Sequence, residues 1–105
     1  ELPKGFMLYQ NYPNPFNPST NITFSIDKTA KIQIKVFDIL GRELTTIADA
    51  SFLPGQYTLQ WNGKDVLGDA LPSGVYYVRM IATGISEGSG ENARYINTRK
   101  MIMLK

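Results

Sequence analysis

Hydrophobic and polar residues alternate with a period of two along most of the chain, the pattern of strands that bury one face. Ile22, Phe24 and Ile26 alternate with Thr23 and Ser25, and Ile32, Ile34 and Val36 alternate with Gln33 and Lys35, so two half-buried strands are expected. The segment between them, residues 27–30, is short enough for a hairpin, which predicts that the two strands are antiparallel neighbours. The string DILGR at 38–42 predicts a turn in which Gly41 takes a positive φ. A third strand follows over 43–48, with Leu44 and Ile47 pointing inward.

Beyond Pro54 and Gly55, Tyr57, Leu59 and Trp61 alternate with Thr58 and Gln60, and Trp61 is the best candidate for the centre of the core. Residues 62–74 are polar and punctuated by Gly63, Gly68, Pro72 and Gly74, which predicts successive turns. The run 75–83 places Tyr76, Val78, Met80 and Ala82 on one face and Tyr77, Arg79 and Ile81 on the other. Residues 84–93 read as a mobile glycine-rich loop, and a last strand covers about 94–104. No window carries a convincing 3.6-residue stripe. Six or seven strands without a helix predict an all-β fold, an immunoglobulin-like antiparallel β-sandwich.

Length and composition narrow this further. A chain of 105 residues is one domain, here a proline-rich leading segment over 1–20 and a sandwich over 21–105. Hydrophobic residues at 43% and charged ones at 19% place it with ordered globular chains. With no cysteine, neither disulfides nor thiolate metal sites can contribute stability, so the core must supply it. No stretch approaches the roughly 20 apolar residues of a membrane helix, which argues against membrane insertion. The start lacks a charged-then-apolar leader, so the chain is expected to be a piece of a longer protein.

The net charge of +2 is too small to imply nucleic acid, but it is unevenly spread. Arg94, Arg99, Lys100 and Lys105 lie in the acid-free stretch 92–105, and the remainder carries seven cations against nine acids. Two readings of that stretch stand: an edge strand kept from aggregating by its charges, or a recognition element.

Catalytic strings occur without the partners they need. Residues 84–88 match GxSxG, yet the chain contains no histidine to serve as base. Residues 88–93 match GxGxxA, but a strand rather than a helix N-terminus is predicted after them. Asn21-Ile22-Thr23 is formally a glycosylation sequon, placed inside a predicted strand. Asn62, Asp65 and Asp69 could supply oxygen ligands to calcium; the same side chains equally serve to cap backbone N–H groups in turns. No carboxylate pair sits in an acid/base setting. The chain is therefore expected to be neither an enzyme nor a cofactor-binding domain.

The most specific segment is NYPNPFNPST at residues 11–20. Its three prolines fix φ and bias Tyr12, Asn14 and Asn17 toward extended geometry, while its asparagines can bond their own backbone. A rigid irregular segment is expected, pinned by Tyr12 and Phe16 and interrupting sheet pairing. Pro15 and Pro18 also satisfy PxxP, the competing reading as a proline-rich ligand.

This segment, the Ile22/Phe24 strand, VFDILGRE at 36–43, Gly55-Gln56-Tyr57, WNGKD at 61–65, Leu67-Gly68, SGVYY at 73–77 and RKMIMLK at 99–105 together resemble the type IX (Por) secretion system C-terminal sorting domain, type A. The likeness runs from about Leu8 to Lys105, and residues 61–76 are also similar to the immunoglobulin-like domain of the flagellar hook-capping protein. The resemblance implies a module at the end of a secreted protein of Bacteroidetes-type bacteria. Such modules are recognised in the periplasm by the outer-membrane translocon and handled by the cell-surface sortase machinery. Their cargo, an N-terminal domain in cis such as a protease or glycosidase, is left secreted or anchored at the cell surface. It implies recognition residues at Asn14, Pro15, Phe16 and Pro18, at Gly55 and Tyr57, at Gly74 and Tyr76, and at Arg99, Lys100 and Lys105. One departure is the long connection between Ala82 and Arg99, which predicts a looser last hairpin. Read by edge-strand addition, the basic last strand would engage a partner through its main chain, with Lys100 and Lys105 orienting it. Two rival classes remain: an adhesion or carbohydrate-binding module using Tyr76, Tyr77 and Tyr95, and a structural spacer.

Overall fold

The computed structural model describes residues 5–85 and 92–105. Within them the chain forms β1 (Met7–Leu8), β2 (Thr20–Ile26), β3 (Ala30–Phe37), β4 (Glu43–Phe52), β5 (Gly55–Trp61), β6 (Gly74–Ile85) and β7 (Asn92–Met103). Two antiparallel sheets face each other, one in the order β1-β2-β5 and the other β4-β3-β6-β7. The all-β immunoglobulin-like sandwich expected from the alternation is what forms.

The alternation assigns the inner faces correctly. Ile22, Phe24 and Ile26 from one sheet meet Ile32, Ile34, Val36, Val78 and Met80 from the other, all with no exposed surface. Each such side chain, taken from water to the interior, stabilises the fold by about 1.5–3 kcal/mol. Tyr76, Ala82, Met101 and Met103 complete the same core, and Leu44 and Ile47 pack against it half-buried.

Neighbours are a different matter. The expected β2–β3 hairpin does not form: β2 pairs with β1 and β5, β3 with β4 and β6, and residues 27–29 arch from one sheet to the other. Alternation reports which face of a strand is buried, not which strand lies beside it. Asp27, Lys28 and Thr29 also lack the glycine or asparagine that a tight hairpin turn requires.

Strand lengths also exceed expectation. β4 continues to Phe52, with two register irregularities against β3 that bend this exposed edge. β6 and β7 reach Ile85 and Asn92, so the connection expected over 84–93 narrows to residues 86–91. Those six lie outside the described residues, as do most of the GxSxG and GxGxxA strings. Nor is the leading segment wholly irregular: Met7 and Leu8 pair with Ser25 and Phe24, and Phe16 makes a parallel bridge to Met103. Among the described residues no helix is long and apolar enough to cross a membrane.

Candidate recognition surface

The proline-rich segment folds onto the free edge of β7 through a set of bonds with sequence separations near 90 residues. β7 is the last strand of its sheet, so its outward N–H and C=O groups, at every second residue, need partners. Phe16 N–H donates to the Ile102 carbonyl (2.9 Å) and the Phe16 carbonyl accepts from Leu104 N–H (3.0 Å). Asn14 Oδ1 accepts from Ile102 N–H at 2.9 Å. Gln10 Nε2 donates to the Lys100 carbonyl at 2.7 Å, and Arg99 Nε donates to the Leu8 carbonyl at 2.9 Å. From Lys100 onward this edge is already occupied by the chain itself. Edge-strand addition at residues 100–104, the mechanism expected from sequence, is therefore corrected: the Lys100 and Ile102 carbonyls and the Ile102 and Leu104 N–H groups on that edge already have partners.

The segment holds its shape through a buried polar cluster. Asn11 and Thr20, 2% and 0% exposed, face each other across the proline loop. Asn11 Nδ2 donates to Thr20 Oγ1 (2.9 Å) and to the Pro13 carbonyl (3.1 Å), and Thr20 Oγ1 donates to that same carbonyl at 2.8 Å. Tyr12 and Asn21 exchange backbone bonds at 3.0 and 2.9 Å, and the bonds preceding Pro13, Pro15 and Pro18 are cis.

Below the loop lies an aromatic stack. Phe16 is buried with its ring centroid 5.7 Å from that of Trp61, which in turn meets Tyr76 edge-on at 5.9 Å. Trp61 Nε1 donates to the Lys64 carbonyl (3.0 Å) and Tyr76 OH to the Pro72 carbonyl (2.6 Å), so each aromatic pins a turn by its polar end. Trp61 is thus buried as expected, but it closes one end of the sandwich and does not mark its centre. Burial, with the nearby Asp38 charge adding to it, raises the Tyr76 phenol above its ordinary value and keeps it a donor. Gly63 has φ +74° and stands where a Cβ would lie 2.9 Å from the Pro18 carbonyl and 3.0 Å from Met103 Cε. It lets the turn after Trp61 touch both the proline loop and β7.

The sequence-expected residues divide accordingly. Asn14, Phe16, Pro18, Gly74, Tyr76, Lys100 and Lys105 gather at or near one end of the sandwich, with Arg99 tying β7 to β1 beside them. Lys105 N–H reaches Ser73 Oγ at 2.9 Å, and Gly74 lies opposite Met103. Pro15 is exposed at the tip of the loop. Gly55 and Tyr57 sit apart, at the start of β5, six and four residues from Trp61 and so about 20 and about 13 Å away. There Tyr57 stacks on Phe24 (5.3 Å), meets Phe52 (4.9 Å) and donates to the Leu53 carbonyl at 2.6 Å, an arrangement that closes the opposite end.

Sequence reasoning singled out the segment 11–20 but not the buried pairing of Asn11 with Thr20 inside it, and it missed Gln10 as a member of the site. It also missed the exposed apolar residues. Six of the eight large hydrophobics exposed among the described residues, Tyr12, Ile39, Leu40, Val66, Leu67 and Leu104, project from the end that carries the proline loop.

The turn at 62–74 resolves into capping. Asp65 Oδ1 accepts from Leu67 N–H (3.0 Å) and Asp69 N–H (2.9 Å), and Asn62 Oδ1 accepts from Lys64 N–H at 3.3 Å. The DILGR turn is built alike: Asp38 Oδ1 accepts from Leu40 and Arg42 N–H groups, its Oδ2 from Arg42 Nε at 2.7 Å, and Gly41 has φ +83°. The Arg42 backbone N–H is the main cause that holds the Asp38 carboxyl below its usual value.

A seven-stranded sandwich whose leading segment crosses from one sheet to the edge of the other defines an immunoglobulin-like domain. The chain belongs to the FlgD Ig-like domain family, whose model matches residues 13–85. No curated protein matches it in sequence. Among solved structures it is similar to dimeric latent PorU from Porphyromonas gingivalis, with TM-score 0.70 and 14% identity over 97% of this chain. It is also similar to PorZ of the same organism, described as an essential bacterial surface component of the type-IX secretion system, with TM-score 0.50 and 20% identity over 96% of this chain. The chain spans only 10% and 12% of those two proteins, and at these identities the likeness establishes the fold.

Proposed function

We propose that the chain is a sorting module of the type IX secretion pathway: a non-catalytic signal domain read by the translocon that directs an attached cargo domain to the cell surface. The observation that carries this reading is the latch, in which the proline-rich segment and the last strand, far apart in sequence, form one surface at the sandwich end. Most of the segments that resemble the sorting-domain family lie toward that end, the Ile22/Phe24 strand and Gly55–Tyr57 apart, and exposed Tyr12, Ile39, Leu40 and Leu104 stand there as well. The structural likeness to PorU and PorZ supports the same pathway. Within the proposal, Asn14, Phe16, Tyr76 and Arg99 act by holding the surface in shape, whereas Pro15, Pro18, Lys100 and Lys105 are positioned to meet a partner.

The test is a periplasm-targeted reporter fused ahead of the 105 residues, expressed in a bacterium that has the type IX machinery. Surface delivery of the reporter is expected. Retention in the periplasm, with the module folded, would favour a structural spacer. Deleting residues 99–105 is a poor probe of recognition, because it removes Met101 and Met103 from the core, both fully buried. Lys100→Ala with Lys105→Ala leaves the core intact and should slow delivery without lowering the melting temperature.

A further inference from the structure

The outer face of the four-stranded sheet has a charge pattern of which the sorting reading uses only Lys100. In β6 and β7 the outward residues are Val75, Tyr77, Arg79, Ile81 and Thr83 beside Ile102, Lys100, Thr98, Ile96 and Arg94, in direct register. Neither strand contains an Asp or Glu. Two further cations on this face, Lys31 and Lys35, are paired with Asp49 at 3.8 Å and Glu43 at 3.2 Å, both on β4. Arg79, Arg94 and Lys100 make no salt bridge among the described residues, and the described residues of this half of the face carry a positive excess.

The positive half has a concave centre. Beside Arg79 is a pocket of about 340 Å³, walled by Phe37, Tyr77 and Thr98. The Arg79 guanidinium lies 4.6 Å from the Phe37 ring centroid, and its Nε donates to Thr98 Oγ1 at 3.2 Å. These two contacts hold the group flat and leave its terminal nitrogens as unclaimed donors, a geometry suited to a carboxylate. Asp38 also borders the pocket, but its oxygens already accept from Leu40 and Arg42.

We propose that this face docks an acidic protein surface, with a carboxylate of the partner seated on Arg79 and flanking acids opposite Lys100 and Arg94. The cations are spread over about 20 Å of strand, the width of a protein contact patch. Between them stand Tyr77, Ile81 and a half-exposed Ile96, apolar surface that a protein would cover. A nucleic acid or an anionic membrane would instead call for a continuous ribbon of cations. The inference holds whether or not the domain directs export, and its test is separate.

Amide spectra of the full 105-residue chain are followed at low ionic strength during titration with a dodecapeptide alternating glutamate and leucine. The same titration is run with the lysine counterpart and with phosphatidylglycerol vesicles. Salt-sensitive shifts confined to Phe37, Tyr77, Arg79, Ile81, Arg94, Ile96, Thr98 and Lys100 are expected with the glutamate peptide alone. Arg79→Gln with Lys100→Gln should weaken that binding roughly 3- to 10-fold, the scale of two exposed charge pairs. Arg94→Gln with Lys100→Gln, both at exposed positions, provides a second variant that keeps the melting temperature. Shifts elsewhere, equal response to the lysine peptide, binding only to vesicles, or undiminished affinity in both variants would each overturn the proposal.

Discussion

Replacing Gly63 by alanine tests how tightly the latch is closed. A residue with a side chain at φ +74° meets the left-handed penalty, about 1–2 kcal/mol. The new Cβ would stand 2.9 Å from the Pro18 carbonyl, which is backbone and cannot swing aside, and 3.0 Å from the end of Met103. Relieving that contact means moving the proline loop off β7, an overpacking cost of about 1–3 kcal/mol. The sum, about 2–5 kcal/mol, is a large part of the roughly 5–15 kcal/mol available to a domain, and corresponds to a drop of roughly 10–30 °C in melting temperature. Gly68→Ala is the matched control: its φ is +88°, but nothing lies within 4 Å of the added carbon. Thermal denaturation of the two proteins should therefore differ by the contact alone, about 1–3 kcal/mol. If they melt within about 0.5 kcal/mol of each other, the close approach of loop, turn and last strand does not limit stability, and the latch is looser than described.

Thr20→Val removes the hydroxyl that joins Asn11 to the Pro13 carbonyl and leaves one buried amide hydrogen unpaired, at a cost of about 1–3 kcal/mol in urea unfolding. Thr20→Ser should restore most of it, and a neutral valine variant would deny the network its role. The Asp38 carboxyl, held below its ordinary 3.8 chiefly by the Arg42 backbone N–H, contributes stability that is complete above that value and is lost as pH falls through the depressed folded value. Asp38→Asn should accordingly lose less stability than the wild type between about pH 5 and pH 2, read from urea midpoints; parallel acid limbs would contradict the assignment.

The inner faces of β2, β3 and β6 were legible in the sequence because a buried sheet face imposes alternation directly. Strand neighbours were not: a connection of three or four residues is short enough for a hairpin, and an arch between sheets is equally short. β4 was cut short at Ala48 because residues 48–52 carry little apolar alternation on an edge that is mostly solvated. In the candidate site, Phe16, Trp61 and Gly63 stood out through residue type. Asn11, Thr20 and Gln10 did not, since their meaning depends on partners that only the fold brings near. The basic last strand was recognised as an edge, but what covers that edge lies almost 90 residues earlier in the chain.

Amide hydrogen exchange along β7 tests the latch most directly, because one strand contains both covered and open positions. Ile102 and Leu104 donate to Asn14 and Phe16, while alternation turns the N–H groups of Ile96 and Thr98 to the same edge beyond the reach of those bonds. Strong protection is expected at Phe16, Ile102 and Leu104, and fast exchange at Ile96 and Thr98. Equally fast exchange at all five would mean that the proline-rich segment is not held against the last strand.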